Sequence, residues 1–194
     1  MDINILLFPD YETLDAMGPI EIFSHSTRCT LHYVSVSGGT ITSHQGFSVE
    51  TVPSSNVTEP YILLIPGGQG TRPLVKDATF LAHLRNYAQK AAYCLTVCTG
   101  SALLAATGLL DGKKATSNKR AMDWVKSVNT KVQWIEKARW VTDGTWYTSS
   151  GISAGMDMAL GFISDTEGIE TARTIAAQIE YVWNEDKTKD MFAK

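Results

Sequence analysis

Short, uninterrupted apolar runs alternate along this chain with segments whose apolar positions recur every three or four residues. Ile3-Asn4-Ile5-Leu6-Leu7-Phe8, Tyr61-Ile62-Leu63-Leu64-Ile65 and Ala91-Ala92-Tyr93-Cys94-Leu95-Thr96-Val97 are of the first kind. Runs of that length with no polar face predict strands buried on both sides. Thr30–Ser37 alternates and predicts a strand; Gly38-Gly39 turns the chain into Thr40–Thr42, and Gln45–Val49 is a short strand or loop. Lys131–Trp134, Arg139–Thr142 and Trp146–Ser149 also read as strands, the last two joined through the hairpin signal Asp143-Gly144. Among the helical segments, Pro19 suits the first turn of a helix running to about His25. Asp77–Lys90 places Phe80, Leu81, Leu84 and Tyr87 on one face. The Ala- and Leu-rich stretch after Cys98, Lys119–Val128, a small-residue segment through Ile163, and Ile169 to about Trp183 complete the set. The tail Asn184–Lys194 is polar. Strands alternating with helices predict an α/β fold whose mostly parallel central sheet is covered on both faces.

Composition narrows the class. At 194 residues the chain suits one domain, 1–194, with one sizeable core. A net charge of −3 offers no electrostatic footing for nucleic acid. No apolar run approaches a membrane span, and the N-terminus opens on a strand rather than a signal peptide. Three scattered cysteines argue against a disulfide framework and for a reducing cytoplasm. With no clustered Cys and His, no metal site is expected, nor any other cofactor.

The chemistry gathers where predicted strands end. Cys98 follows a buried strand and precedes Thr99-Gly100-Ser101 and a helix. At such a turn the free N–H groups and helix dipole are expected to favour thiolate, the nucleophilic form. Cys94, in mid-strand, reads as core. Pro66-Gly67-Gly68-Gln69-Gly70 ends another strand and presents backbone N–H groups; no Gly-Lys-Ser/Thr follows, so it is not a Walker loop. Asp15 sits in the loop after the first strand, as an N-cap or as an acid aimed at the same place. Sites in such sheets lie beyond the carboxyl ends of the strands, and these three loops meet that condition together. All four histidines, His25, His32, His44 and His83, precede Cys98, which excludes a triad with histidine downstream of the cysteine. No G-x-S-x-G elbow is present. A carboxylate is then the nearest proton partner: Asp15 could share a proton with Cys98, while N–H groups at Gly68 and Thr99 stabilise developing charge.

Leu14-Asp15-Ala16-Met17-Gly18-Pro19, Ile65-Pro66-Gly67-Gly68, Val97-Cys98-Thr99-Gly100, Gly108–Thr116 and Ser150–Asp157 resemble, in order, the motifs of the DJ-1/PfpI superfamily. The resemblance implies a flavodoxin-like three-layer sandwich, a homodimer and a reactive elbow cysteine. Asp in the L-D-x-x-G-P segment and Cys-Thr-Gly at the elbow are similar to the isocyanide hydratase-like branch. That branch implies a small-molecule substrate, Cys98 and Asp15 as catalytic residues, and Gly67, Gly68, Thr99 and Ile152 as oxyanion and substrate contacts. Relatives often read Ala-Thr-Thr-His-Trp where this chain has Ala115-Thr116-Ser117-Asn118-Lys119. Regulatory relatives add a helix-turn-helix domain, for which there is no room here. A glyoxalase, deglycase, amidase or protease-like enzyme using the same cysteine, and a non-catalytic redox-sensing dimer, are the competing expectations.

Overall fold

The computed structural model describes residues 1–193. In chain order the elements are β1 (Asp2–Leu6), α1 (Thr13–Ser24), β2 (Thr30–Ser35), β3 (Gly39–Thr42), β4 (Ser48–Pro53), β5 (Ile62–Ile65), α2 (Thr71–Leu74), α3 (Ala78–Lys90) and β6 (Tyr93–Thr96). They continue as α4 (Gly100–Ala106), β7 (Lys114–Ala115), α5 (Met122–Val128), β8 (Gln133–Trp134), β9 (Trp140–Asp143), β10 (Trp146–Ser149), α6 (Ala154–Glu167) and α7 (Ile169–Gln178). Eight strands form one sheet in the order β3-β4-β2-β1-β5-β6-β10-β9. Its interior pairs are parallel, and only the edge pairs β3–β4 and β9–β10 are antiparallel. The apolar runs occupy the centre, as expected: all four residues of β5 are buried. Full burial of each such aliphatic side chain stabilises the fold by about 1.5–3 kcal/mol. One helical group packs α1 on α6 and α6 on α7; the other packs α2, α3 and α5 on α4. The fold is the expected α/β sandwich with a mostly parallel sheet.

Two expectations change in ways that bear on the site. Helix α1 starts six residues before Pro19, so Pro19 lies inside the helix and Asp15 in its first turn, where the N-cap is Glu12. Proline in mid-helix removes one hydrogen bond, here the one to the Asp15 carbonyl. Burial of Ala16, Pro19, Ile22 and Phe23 against the sheet outweighs that loss. Asp15 is therefore a side chain of a buried helical face, not a cap. The last helix also ends earlier, at Gln178, because the chain beyond it is fastened elsewhere. Tyr181 Oη and the Asn184 N–H both donate to Asp157 Oδ1 at 3.0 Å. Arg139 Nε donates to Asp157 Oδ2 at 2.7 Å, and its Nη1 reaches Asp190 Oδ2 at 3.4 Å. Both carboxylates and the guanidinium are buried, so the polar tail closes onto β9 and α6 through a desolvated ionic cluster. Smaller shifts follow the same logic. Lys119–Ala121 winds as a 3-10 turn before α5, and the strand at Lys131–Trp134 shortens to β8, paired with β7 outside the main sheet.

Candidate active site

β1, β5 and β6 run parallel and adjacent, so the loops leaving their carboxyl ends meet. Asp15, Gly67-Gly68 and Cys98-Thr99 come from these three loops and the first turn of α1. The Tyr11–Gly68 bridge and the Glu12 N–H to Gly67 carbonyl bond, 2.9 Å, tie the first two loops together. Gly67 is where the loop packs against both the Asp15 carboxyl and the Cys98 turn. A Cβ there would lie 2.6 Å from Thr99 N and 2.8 Å from Asp15 Oδ2, so no larger residue fits.

Cys98 adopts φ 56°, left-handed backbone that costs an L-residue about 1–2 kcal/mol. Its neighbours hold it there. The Cys98 N–H donates to the Ser150 carbonyl at 3.2 Å. Its own carbonyl accepts Ser117 Oγ at 2.8 Å and Ser101 Oγ at 3.0 Å. Bent out of the strand line, Cys98 lines a cavity of about 410 Å³ with Glu12, His44, Gly68, Thr99, Asn118 and Ile152.

Asp15 is fully buried and accepts the Gly67 N–H on Oδ2 at 3.0 Å. Burial pushes its pKa up to about 8; the nearby Glu12 charge adds to this, while the Gly67 N–H bond and the neighbouring Cys98 thiol work against it. The Cys98 thiol is pushed well above its ordinary value, first by burial and then by the Asp15 charge, with the Thr99 N–H and the Asn118 amide partly offsetting both. Against the expected thiolate, burial raises the Cys98 thiol and the Asp15 carboxyl together. They titrate as a coupled pair.

The glycine loop also differs from its expected part. The Gly67 N–H is committed to Asp15, and the Gly68 N–H to Thr99 Oγ1 at 3.0 Å. Of the anticipated backbone donors, the Thr99 N–H is the one that favours the charged sulfur. The second donor there is Asn118, notable in the sequence only as a departure from relatives. Its Oδ1 caps the following turn, accepting the N–H groups of Arg120 at 3.0 Å and Ala121 at 3.1 Å. That leaves Nδ2 for the sulfur. A Cβ on Gly151 would strike Asn118 Nδ2 and come 2.9 Å from Cys98 Sγ, which shows how closely the amide and thiol sit. The capping preference of Asn is the one local signal for this role. Ile152 lines the cavity beside Gly151. The histidines stay apart from the thiol. His83 bonds Ser54 Oγ and stacks on Tyr87, His25 and His32 pair with Glu21 and Asp2, and His44 stands at the cavity rim 3.5 Å from Asp10.

Residues 1–165 match the DJ-1/PfpI family. The chain belongs to that family. Among DJ-1/PfpI relatives, the isonitrile hydratase of Pseudomonas putida is 34% identical over 182 residues, covering 93% of this chain and 78% of its own. A deglycase of Pyrococcus horikoshii is 29% identical over 152 residues, 77% of this chain and 89% of its own. The crystal structure of a ThiJ/PfpI family protein from Pseudomonas syringae superposes with a TM-score of 0.85 at 28% identity, over 94% of this chain and 76% of that one.

Proposed function

We propose that this DJ-1/PfpI protein hydrates isocyanides to N-formamides, with Cys98 as nucleophile and Asp15 as proton carrier. The observation that carries the reading is the buried Asp15–Cys98 pair with no histidine against it. The long match to an isonitrile hydratase supports it. In the reactive state the pair holds one proton. Asp15 carboxylate takes the thiol proton as the sulfur attacks the terminal carbon of R–N≡C. The Asp15 carboxyl returns that proton to the same carbon, giving the thioimidate R–N=CH–S–Cys98. Water adds across C=N to give R–NH–CH(OH)–S–Cys98. The hydroxyl loses its proton, the C–S bond breaks and R–NH–CHO leaves. The sulfur recovers the proton through Asp15, and no oxidant, metal or cofactor enters the balance. The Thr99 N–H and Asn118 Nδ2 steady the sulfur when it carries charge.

The deglycase relative supports a second reading, attack of the same thiol on a carbonyl carbon with Asp15 moving the proton. Identity and coverage favour the hydratase. The test is proton NMR detection of the N-formamide from simple alkyl and aryl isocyanides, beside methylglyoxal and peptide amides, for the native protein and Cys98→Ala. Formamide that depends on Cys98 is expected. Turnover of methylglyoxal alone would move the reading to the second. Turnover of none would leave a redox-sensing role for the thiol. We also propose a cytoplasmic homodimer, on the family resemblance, the free cysteines and the exposed apolar side chains of Val182, Met191 and Phe192.

A further inference from the structure

The mouth of the Cys98 cavity carries two arginines that the proposed chemistry does not use. Arg72 projects from the short helix after the glycine loop, and Arg120 from the turn that Asn118 caps; both line the cavity with Cys98. Among the described residues, arginine ion pairs belong to Arg139 and Arg173. Among those same residues, no carboxylate neutralises either cavity guanidinium. Arg72 is nevertheless held in place: its Cζ lies 3.5 Å from the centroid of the Trp124 ring. Stacking of this kind orients the plane of the guanidinium and leaves its edge donors for a ligand. One carboxylate, Glu12, shares the lining, but its Oε1 already accepts Gln45 Nε2 at 2.7 Å. His44 faces Asp10. The rim therefore keeps a positive excess in a chain whose net charge is −3.

We propose that Arg72 and Arg120 form an anion subsite, and that the molecule attacked by Cys98 carries a carboxylate at the end away from its reacting carbon. A planar guanidinium fork matches a carboxylate, with two parallel N–H···O bonds. A single net positive charge at the rim suits a monoanion better than a phosphate dianion. The cavity, about 410 Å³, has room for a small acid, and its lining is as polar as it is apolar. Trp124 is a positioning residue, acting through Arg72. The inference rests on the proposed role of Cys98 as the reacting group. It narrows the substrate class: an isocyano acid in preference to, not to the exclusion of, a neutral isocyanide.

The experiment compares Cys98 alkylation by iodoacetate and by iodoacetamide, probes of similar size that differ in charge. Rates are read by mass spectrometry on the full chain, in the native protein, Arg72→Gln, Arg120→Gln and the double variant. The iodoacetate-to-iodoacetamide rate ratio should fall by about tenfold in the double variant, the scale of one charge-assisted contact. Arg72→Lys, which keeps the charge and loses the fork, should fall between. In the native protein, salt should lower the ratio as the Debye length shrinks from about 30 Å at 0.01 M to about 3 Å at 1 M. A ratio indifferent to both the double substitution and salt would overturn the subsite. The second arm measures kcat/KM for a carboxylate-bearing isocyanide against its methyl ester; the acid-over-ester preference should drop in Arg72→Gln. If no isocyanide is turned over while the alkylation ratio still falls, the hydratase reading fails and the anion subsite stands. If isocyanides react but the native protein prefers the ester, the subsite fails and the hydratase stands.

Discussion

Asp15→Asn separates a proton carrier from a buried structural carboxyl. Asn preserves the shape and can still accept the Gly67 N–H through its amide oxygen, now 3.0 Å from Asp15 Oδ2. What it removes is the titrating proton. General acid–base catalysis contributes about 10²–10⁴-fold, so formamide production should fall by at least about 10²-fold. The native pH profile carries a matching signature. With the first ionisation of the pair at about 8, both protons are held below that pH. kcat/KM should therefore rise about tenfold per pH unit up to about 8. It should fall again once the Cys98 proton, held well above its ordinary value, is also lost.

Stability gives an independent readout with a fixed sign. The folded pKa of Asp15, about 8, lies above its ordinary value of 3.8, so the native state binds more protons between those values. The Asp15 contribution is then most favourable below pH 4 and is lost as pH rises towards 8. Raising a carboxyl pKa by one costs the ionised form about 1.4 kcal/mol. Asp15→Asn is free of that cost, so its melting temperature relative to the native protein should climb from pH 5 to pH 8 and then level. For a chain of this size, about 2–4 °C corresponds to each kcal/mol. Differential scanning calorimetry of both proteins across that range, beside the NMR assay, decides the matter. Undiminished turnover, or a melting difference flat with pH, would refute the assignment of a proton-bearing Asp15.

Cys98 should be alkylated well before Cys94, because Cys98 lines the cavity while Cys94 is sealed in mid-strand; equal labelling in brief iodoacetamide treatment would contradict this. Cys98→Gly should melt above Cys98→Ala by the equivalent of about 1 kcal/mol, because glycine accepts φ 56° without strain; equal melting temperatures would remove the strained elbow. Gly151→Ala should lower turnover more than stability, since its methyl meets Asn118 Nδ2 and Cys98 Sγ; native kcat with a lowered Tm would place the clash elsewhere. A homodimer should sediment at about twice the 21.2 kDa of one chain; a monomer mass at micromolar concentration would rule it out.

The site loops are legible in the sequence because their signals are local. An apolar run, a glycine pair or a Cys-Thr-Gly turn states where a strand stops, and parallel topology brings such stops together. The partners of each group are not legible, since they come from distant segments. Asn118 reaches Cys98 only because the chain after β7 returns past β10. Asp190 is buried only because Arg139 waits for it 51 residues earlier. The start of α1 departs from expectation for a related reason: Pro19 marks helix starts locally, but the buried face it shares with Asp15 and Ile22 is a tertiary fact.

The ionisation of Cys98 shows the same division as a contest of magnitudes. A helix N-terminus offers a charge about 0.3–1 kcal/mol, less than one pKa unit. Full burial moves a thiol or carboxyl by as much as about 3–5 units. Helix α4 is only seven residues long and Cys98 lies before its first turn, so burial outweighs the helix end and raises the Cys98 thiol. A sensor of oxidants works through a thiolate held ready. A catalyst that must both attack with sulfur and deliver a proton needs the opposite, a thiol whose proton leaves only to a neighbour able to return it. The expected outcome is turnover, and formamide production that depends on both Cys98 and Asp15 is the measurement that checks it.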